Sequence, residues 1–169
     1  HKLFFNGDDV FIEYFDYESP DNAEYFDSHT ELPYTGHIML YYDTGELKEK
    51  YAVKDGFKMF PLTTYYKSGQ IQSEERPGAI VIKYHENGKK SEIMHSDGRL
   101  ERWYDSGQKH SQLKLATTTN GKMPIGKAMR WHKNGQLYID KDYGLEGNLI
   151  SGQCWDESGN EIPCPIYLG

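Results

Sequence analysis

The residues with most scope for chemistry in this chain are its seven histidines, its 26 carboxylates, its two cysteines and a serine in Asp105-Ser106-Gly107. His1, His29, His37, His85, His95, His110 and His132 form neither His-Glu-x-x-His nor His-x-His, and Cys-x-x-Cys is missing too. The spacings that hold zinc are therefore absent. Ser106 has no base tied to it by spacing, and neither Gly-x-Ser-x-Gly nor a phosphate-cradling P-loop occurs. The carboxylates form no repeated pair of the kind a hydrolase uses. These residues predict no catalytic site, no metal and no cofactor, and hence a protein that is not an enzyme. Cys154 and Cys164 leave two states open, free thiols or one bridge, and with them the redox compartment.

What remains is binding chemistry, and its placement depends on a repeat. Gly98-Arg99-Leu100-Glu101-Arg102-Trp103-Tyr104-Asp105-Ser106-Gly107 is spelled again from Gly36 to Gly45 and from Gly126 to Gly135. Two glycines stand nine apart, an aromatic lies four before the second, and Ser, Thr or Asn precedes it. Weaker copies end at Gly69, Gly88 and Gly159, with Tyr65, Tyr84 and Trp155 in the aromatic place. Self-similarity of this kind outranks other fold signals. Each copy reads as a β-hairpin. Thr44 resists the two positive φ values of a type I′ turn, whereas a type I turn followed by a left-handed glycine suits all six turn sequences. Extra residues near Asp55–Pro61 and Thr117–Pro124 read as lengthened loops between units.

Strand alternation splits each first strand into two faces. One carries Met39/Tyr41, Thr63/Tyr65, Ile82/Tyr84, Glu101/Trp103, Met129/Trp131 and Gln153/Trp155. A ring in every copy predicts that this face packs and is structural. The other carries apolar residues and a rim of Tyr42, Tyr66, His85, Tyr104 and His132, joined by Arg102 and Arg130. Tyr and Arg are the residue types enriched at interface hot spots. Two readings of this face stay open: a partner-binding stripe, or a second core layer covered by loops or by the N-terminal segment.

Charge supplies a further candidate surface. The 169 residues carry −7, yet residues 1–34 hold nine acids, Asp16 and Glu18 among them, against Lys2 alone. The other 17 acids and 18 bases nearly cancel. Such a segment disfavours nucleic acid or an anionic membrane and suits a basic protein partner, or simply a solvated face. Val10–Phe15 reads as a strand, and 1–34 as an acidic, aromatic cap.

The shared core, aromatic-x-x-[Ser/Thr/Asn]-Gly-x-[Leu/Ile] with a glycine nine earlier, resembles the MORN-repeat variant of bacterial proteins, and within it the YwqK-type antitoxin or immunity family. The resemblance runs from residue 36 to about 162. Lys90, Lys109 and Glu161 depart from it after the turn glycine, and Phe60, Ala79 and Ile150 replace the earlier one. It implies an all-β, elongated array of antiparallel hairpins in a meandering sheet: an irregular cap over 1–34, six repeats over 35–165 and a tail over 166–169. It also implies a protein-binding module that neutralises a toxin. An alternative is a scaffolding repeat protein at the cell envelope, associated with lipid.

Overall fold

The computed structural model describes residues 2–5, 10–14, 23–119 and 121–165. The described residues are strands and turns, with no helix among them. The chain divides into two compact units, His1–Pro77 and Gly78–Gly169.

In the first unit, β1 (Lys2–Phe5), β2 (Val10–Tyr14) and β3 (Ala23–Asp27) form a three-stranded antiparallel sheet. β4 (Gly36–Tyr41), β5 (Leu47–Lys54), β6 (Phe57–Tyr65) and β7 (Ile71–Arg76) follow as an antiparallel meander. The second unit is a longer meander of the same kind: β8 (Ile80–Tyr84), β9 (Lys90–Met94), β10 (Arg99–Trp103), β11 (Lys109–Thr118), β12 (Gly121–Trp131), β13 (Leu137–Tyr143), β14 (Leu149–Trp155) and β15 (Glu161–Ile162). Each of these strands pairs antiparallel with its neighbour in the chain.

The turn chemistry follows from the glycines. Gly45 N–H bonds to the Tyr42 carbonyl, while Tyr42 N–H bonds to that of Glu46, both at 2.9 Å. With Gly45 at φ +96°, these bonds describe a type I turn closed by a left-handed residue. The same pair of bonds closes the turns ending at Gly69, Gly88, Gly107, Gly135 and Gly159. It also closes two more, ending at Gly98 and Gly147, where the sequence reading saw no such turn.

The expected long loops are not loops. Asp55 and Gly56, at φ 51° and 85°, make a two-residue turn between Lys54 and Phe57, and residues 57–61 belong to β6. Likewise β11 extends to Thr118 and pairs it with Gly121. The extra residues are rich in aromatic and β-branched types, which favour a pleated strand, so they lengthen the ladder. A register shift within each pair absorbs the mismatch.

Burial places the core of the first unit on the second face, as the core-layer reading of that face expects. Ile38 pairs with Tyr51, and Val53 lies two residues on; all three are buried, and Tyr25 of β3 packs on them. In the second unit, Leu100, Ser111, Ile139 and Cys154 are buried and share the corresponding face through the pairings Arg102–Ser111–Arg130–Ile139–Cys154. The ring face is open in β4, where Tyr41 is 56% exposed and Met39 37%, but in the second unit Ile82 is buried and Tyr84, Trp103, Trp131 and Trp155 are half-buried. The cause is cover. Tyr25 and Tyr34 lie over the second face of β4 and β5, and a Cys154–Cys164 disulfide holds the chain after β15 to that face of β14.

Candidate partner-binding face

At four of the turns the tyrosine or histidine just before the turn is held by the next such hairpin. In the first unit, Tyr42 Oη donates to the Tyr65 carbonyl at 2.7 Å. In the second, His85 Nε2 lies 2.9 Å from the Trp103 carbonyl, and Tyr104 Oη donates to Trp131 at 2.8 Å. His132 Nε2 is 2.8 Å from the Trp155 carbonyl. For a neutral imidazole these distances make Nε2–H the donor, leaving Nδ1 as acceptor. Asn87 Nδ2 donates to the Asp105 carbonyl and Asn134 Nδ2 to that of Glu157, each at 2.8 Å. Successive turns of this unit are therefore stitched together by side chains as well as by strand ladders. Tyr66 closes its own turn through the bond from its N–H to Gln70 and is half-buried.

A second device recurs three residues after the turn glycine. The register shift after each turn leaves one extra residue on the returning strand: Lys48, His110 and Tyr138 in the hairpins of Tyr42, Tyr104 and His132. That residue packs on the rim side chain. Lys48 Nζ lies 5.8 Å from the Tyr42 ring centre, His110 meets the Tyr104 ring edge-on at 4.7 Å, and Tyr138 lies 4.6 Å from His132. Bulges re-aim side chains in this way. No periodicity of glycines reveals these partners, because the bulge breaks strand alternation at that residue.

Charged side chains stand in the same cross-strand row as the buried Ser111, Ile139 and Cys154. Glu92 Oε1 is 2.9 Å from Lys83 Nζ and Glu92 Oε2 2.7 Å from Arg102 Nε. Burial pushes the Glu92 carboxyl up, but its hydrogen bonds and charge contacts with Lys83 and Arg102 outweigh that and hold it below the usual range. Arg130 stands across Ser111 from Arg102 in the pairing register. Burial, then the charges of Arg130 and Arg102, lower the His110 pKa. Burial raises that of Tyr104, Arg130 opposing and Glu157 adding. Lys83, Arg102 and Arg130 are exposed and outnumber Glu92, so this row is cationic. A 190 Å³ depression adjoins it, lined in part by Ser111, Ala128, Arg130, Ile139 and Lys141. That is smaller than the roughly 300–1,000 Å³ of small-molecule pockets.

The second unit thus brings together His85, Arg102, Tyr104, Arg130 and His132 on the side of its buried row, and the first unit carries Tyr42 and Tyr66. Asp16 and Glu18 lie outside the described residues, as does the tail over 166–169. Among the described residues, no three of His, Cys, Asp and Glu group closely enough to hold a metal. No protein-family model matches this chain, and no curated protein matches it.

Proposed function

We propose that the chain is a non-enzymatic, protein-binding repeat module that neutralises a partner toxin by direct contact, as an antitoxin or immunity protein does. On this reading the hairpins are six MORN-variant repeats over 35–165 and residues 1–34 are their cap. The observation that carries it is the rigid presentation of the rim. Tyr42, His85, Tyr104 and His132 are fixed by bonds to the following hairpin, so their exposed ring surface and the neighbouring arginines lose little entropy when a partner docks. Anchors of this kind act mainly on dissociation, whereas an acidic segment such as Asp16 and Glu18 steers association of a basic partner.

Pull-down from the native organism with mass spectrometry identifies the partner, and binding kinetics then test the assignment. Tyr66→Ala with Tyr104→Ala should speed dissociation tenfold or more. Asp16→Asn with Glu18→Gln should slow association, with an effect that fades as salt shortens the Debye length from about 10 Å at 0.1 M to about 3 Å at 1 M. A folded tyrosine double variant that binds like wild type refutes the rim as the site.

One observation favours the second reading, a scaffolding repeat protein at the envelope. The Cys154–Cys164 bridge belongs to an oxidising compartment, since cytosolic thiols are kept reduced. Co-sedimentation with lipid vesicles separates the two: a scaffold of this kind sediments, and a toxin-neutralising module stays in the supernatant.

A further inference from the structure

One cross-strand pair breaks the rule of its repeat. At the same place in three hairpins, Ile38 stands against Tyr51, Val81 against Met94 and Leu100 against Leu113, apolar on apolar. The hairpin of His132 sets Ala128 against Lys141 there. Leu62–Glu75 also brings a charge to this place, but it keeps the branched side chain. Ala128 follows Gly126 on one face of β12, and a side chain added at Gly126 would meet nothing within 4 Å.

Two small residues in succession leave a hollow. It is the 190 Å³ depression, walled by Leu113, Ile139 and Tyr143, with Arg130 and Lys141 as its charged groups. Its lining holds no carboxylate. Asp140 and Asp142 flank Lys141 in β13 but alternate to the opposite face, where Asp140 pairs with Lys127. Among the described residues Lys141 forms no ion pair, although it is half-buried. Its stem lies along Gly152, with Cγ 3.0 Å from where a β-carbon would stand. Burying a charge costs free energy unless it is paired, so the hollow is one anion short.

Size and walls decide which anion fits. A cavity of about 150 Å³ takes a benzene-sized group, so this hollow takes little more. A nucleotide is too large for it. Bare phosphate would give up its water against apolar walls. A carboxylate on a short aliphatic stem suits both parts. The stem lies against Leu113, Ile139 and Tyr143, and the oxygens meet Arg130 and Lys141, diagonal neighbours across β12 and β13 with Cα atoms about 7–8 Å apart.

We propose that this hollow is the subsite for an acidic side chain of the partner protein, a glutamate whose carboxylate seats between Arg130 and Lys141. This rests on the protein-binding reading above, and it gives the rings of the rim a charged anchor on the same face. A basic partner is compatible with it, because net charge governs approach while a single seated pair fixes register.

N-acetylglutamate amide is the probe, and it needs no partner. Titrated into the full chain, it should shift the NMR signals of the Ala128 methyl and the Lys141 side chain, saturating at about 1–10 mM. N-acetylglutamine amide and inorganic phosphate should each bind at least roughly tenfold more weakly. Lys141→Met, which keeps the stem along Gly152, should weaken the glutamate probe by a similar factor. Ala128→Leu restores the side chain that Leu100 supplies in its own hairpin, and should abolish binding without lowering Tm. Lys54→Met, in the first unit, should change nothing. Absent saturation, equal binding of the glutamine probe or of phosphate, or indifference to both Lys141→Met and Ala128→Leu each overturns the proposal. With the partner in hand, Lys141→Met should speed dissociation about tenfold. A complex indifferent to that change yet weakened by Tyr66→Ala with Tyr104→Ala overturns this subsite and leaves the rim reading standing.

Discussion

The phenol of Tyr104 donates its proton to the carbonyl oxygen of Trp131 at 2.8 Å, reaching from one hairpin turn to the next across 27 residues of chain. This bond satisfies a main-chain acceptor that strand pairing leaves over at the turn, and it fixes the ring.

Replacing that phenol should therefore weaken the fold without opening a void. Tyr104→Phe is expected to lower unfolding free energy by about 0.5–1.5 kcal/mol, the net worth of a hydrogen bond of this kind. Urea melts check it, and a variant as stable as wild type would show that the bond contributes nothing beyond what water supplies.

The burial of the second face of β4 has a test in adjacent residues. Ile38 is completely buried and Met39 is 37% exposed, on opposite sides of β4. Ile38→Ala should cost roughly 2–5 kcal/mol, the usual range for a buried aliphatic truncation. Met39→Ala should cost less than about 1 kcal/mol, nearer a surface change. Equal losses would restore the ring face as the packed one.

Two glycines in equivalent turns should respond differently to alanine. Gly45 has open space around it, so Gly45→Ala meets only the left-handed backbone at φ +96° and should cost about 1–2 kcal/mol. At Gly98 the added carbon falls within van der Waals contact of the Leu115 carbonyl oxygen, on the strand whose N–H bonds back to Gly98. Gly98→Ala must move backbone as well, and its loss in chemical melts should clearly exceed that of Gly45→Ala.

Acidification should reach His110 before it reaches the carboxylates. Burial and the arginine charges lower its pKa in the fold, so as pH drops below about 6.5 the unfolded chain takes up that proton first. Stability then falls with falling pH, and the loss levels off once the folded His110 is itself protonated. NMR titration should place His110 below the usual histidine value, and His110→Asn should flatten this part of the stability–pH curve. An unchanged curve in the variant refutes the assignment.

Much of the backbone was legible from glycine spacing, because a left-handed residue after a type I turn leaves few choices at Gly45, Gly88 or Gly135. Asp55-Gly56 was misread because the repeat count made its surroundings look like an insertion, although Asp-Gly is itself a hairpin signal. Side-chain roles were less legible. Parity along one strand cannot say which face receives cover, and cover here comes from residues outside the repeated hairpins, Tyr25 before them and Cys164 after β15. His110 and Tyr138 escaped notice for a different reason: each is the extra residue of a bulge, where strict alternation fails. The rim residues His85, Tyr104 and His132 were found by type and position, but their bonds to Trp103, Trp131 and Trp155 needed coordinates.

Those rim bonds join partners separated by 23, 18, 27 and 23 residues, yet their lengths all lie between 2.7 and 2.9 Å. Chain can thus be gained or lost at the margin opposite the rim turns, as it is at Asp55-Gly56 and between Thr118 and Gly121, while the rim geometry stays constant. The turn between Thr118 and Gly121, where Thr119 and Gly121 are exposed, is the permissive place to graft a tag, a fluorophore or a foreign epitope; Gly56 is buried and bonded to Tyr25 and Tyr34, and a graft in the rim turns would cut the stitching from one hairpin to the next.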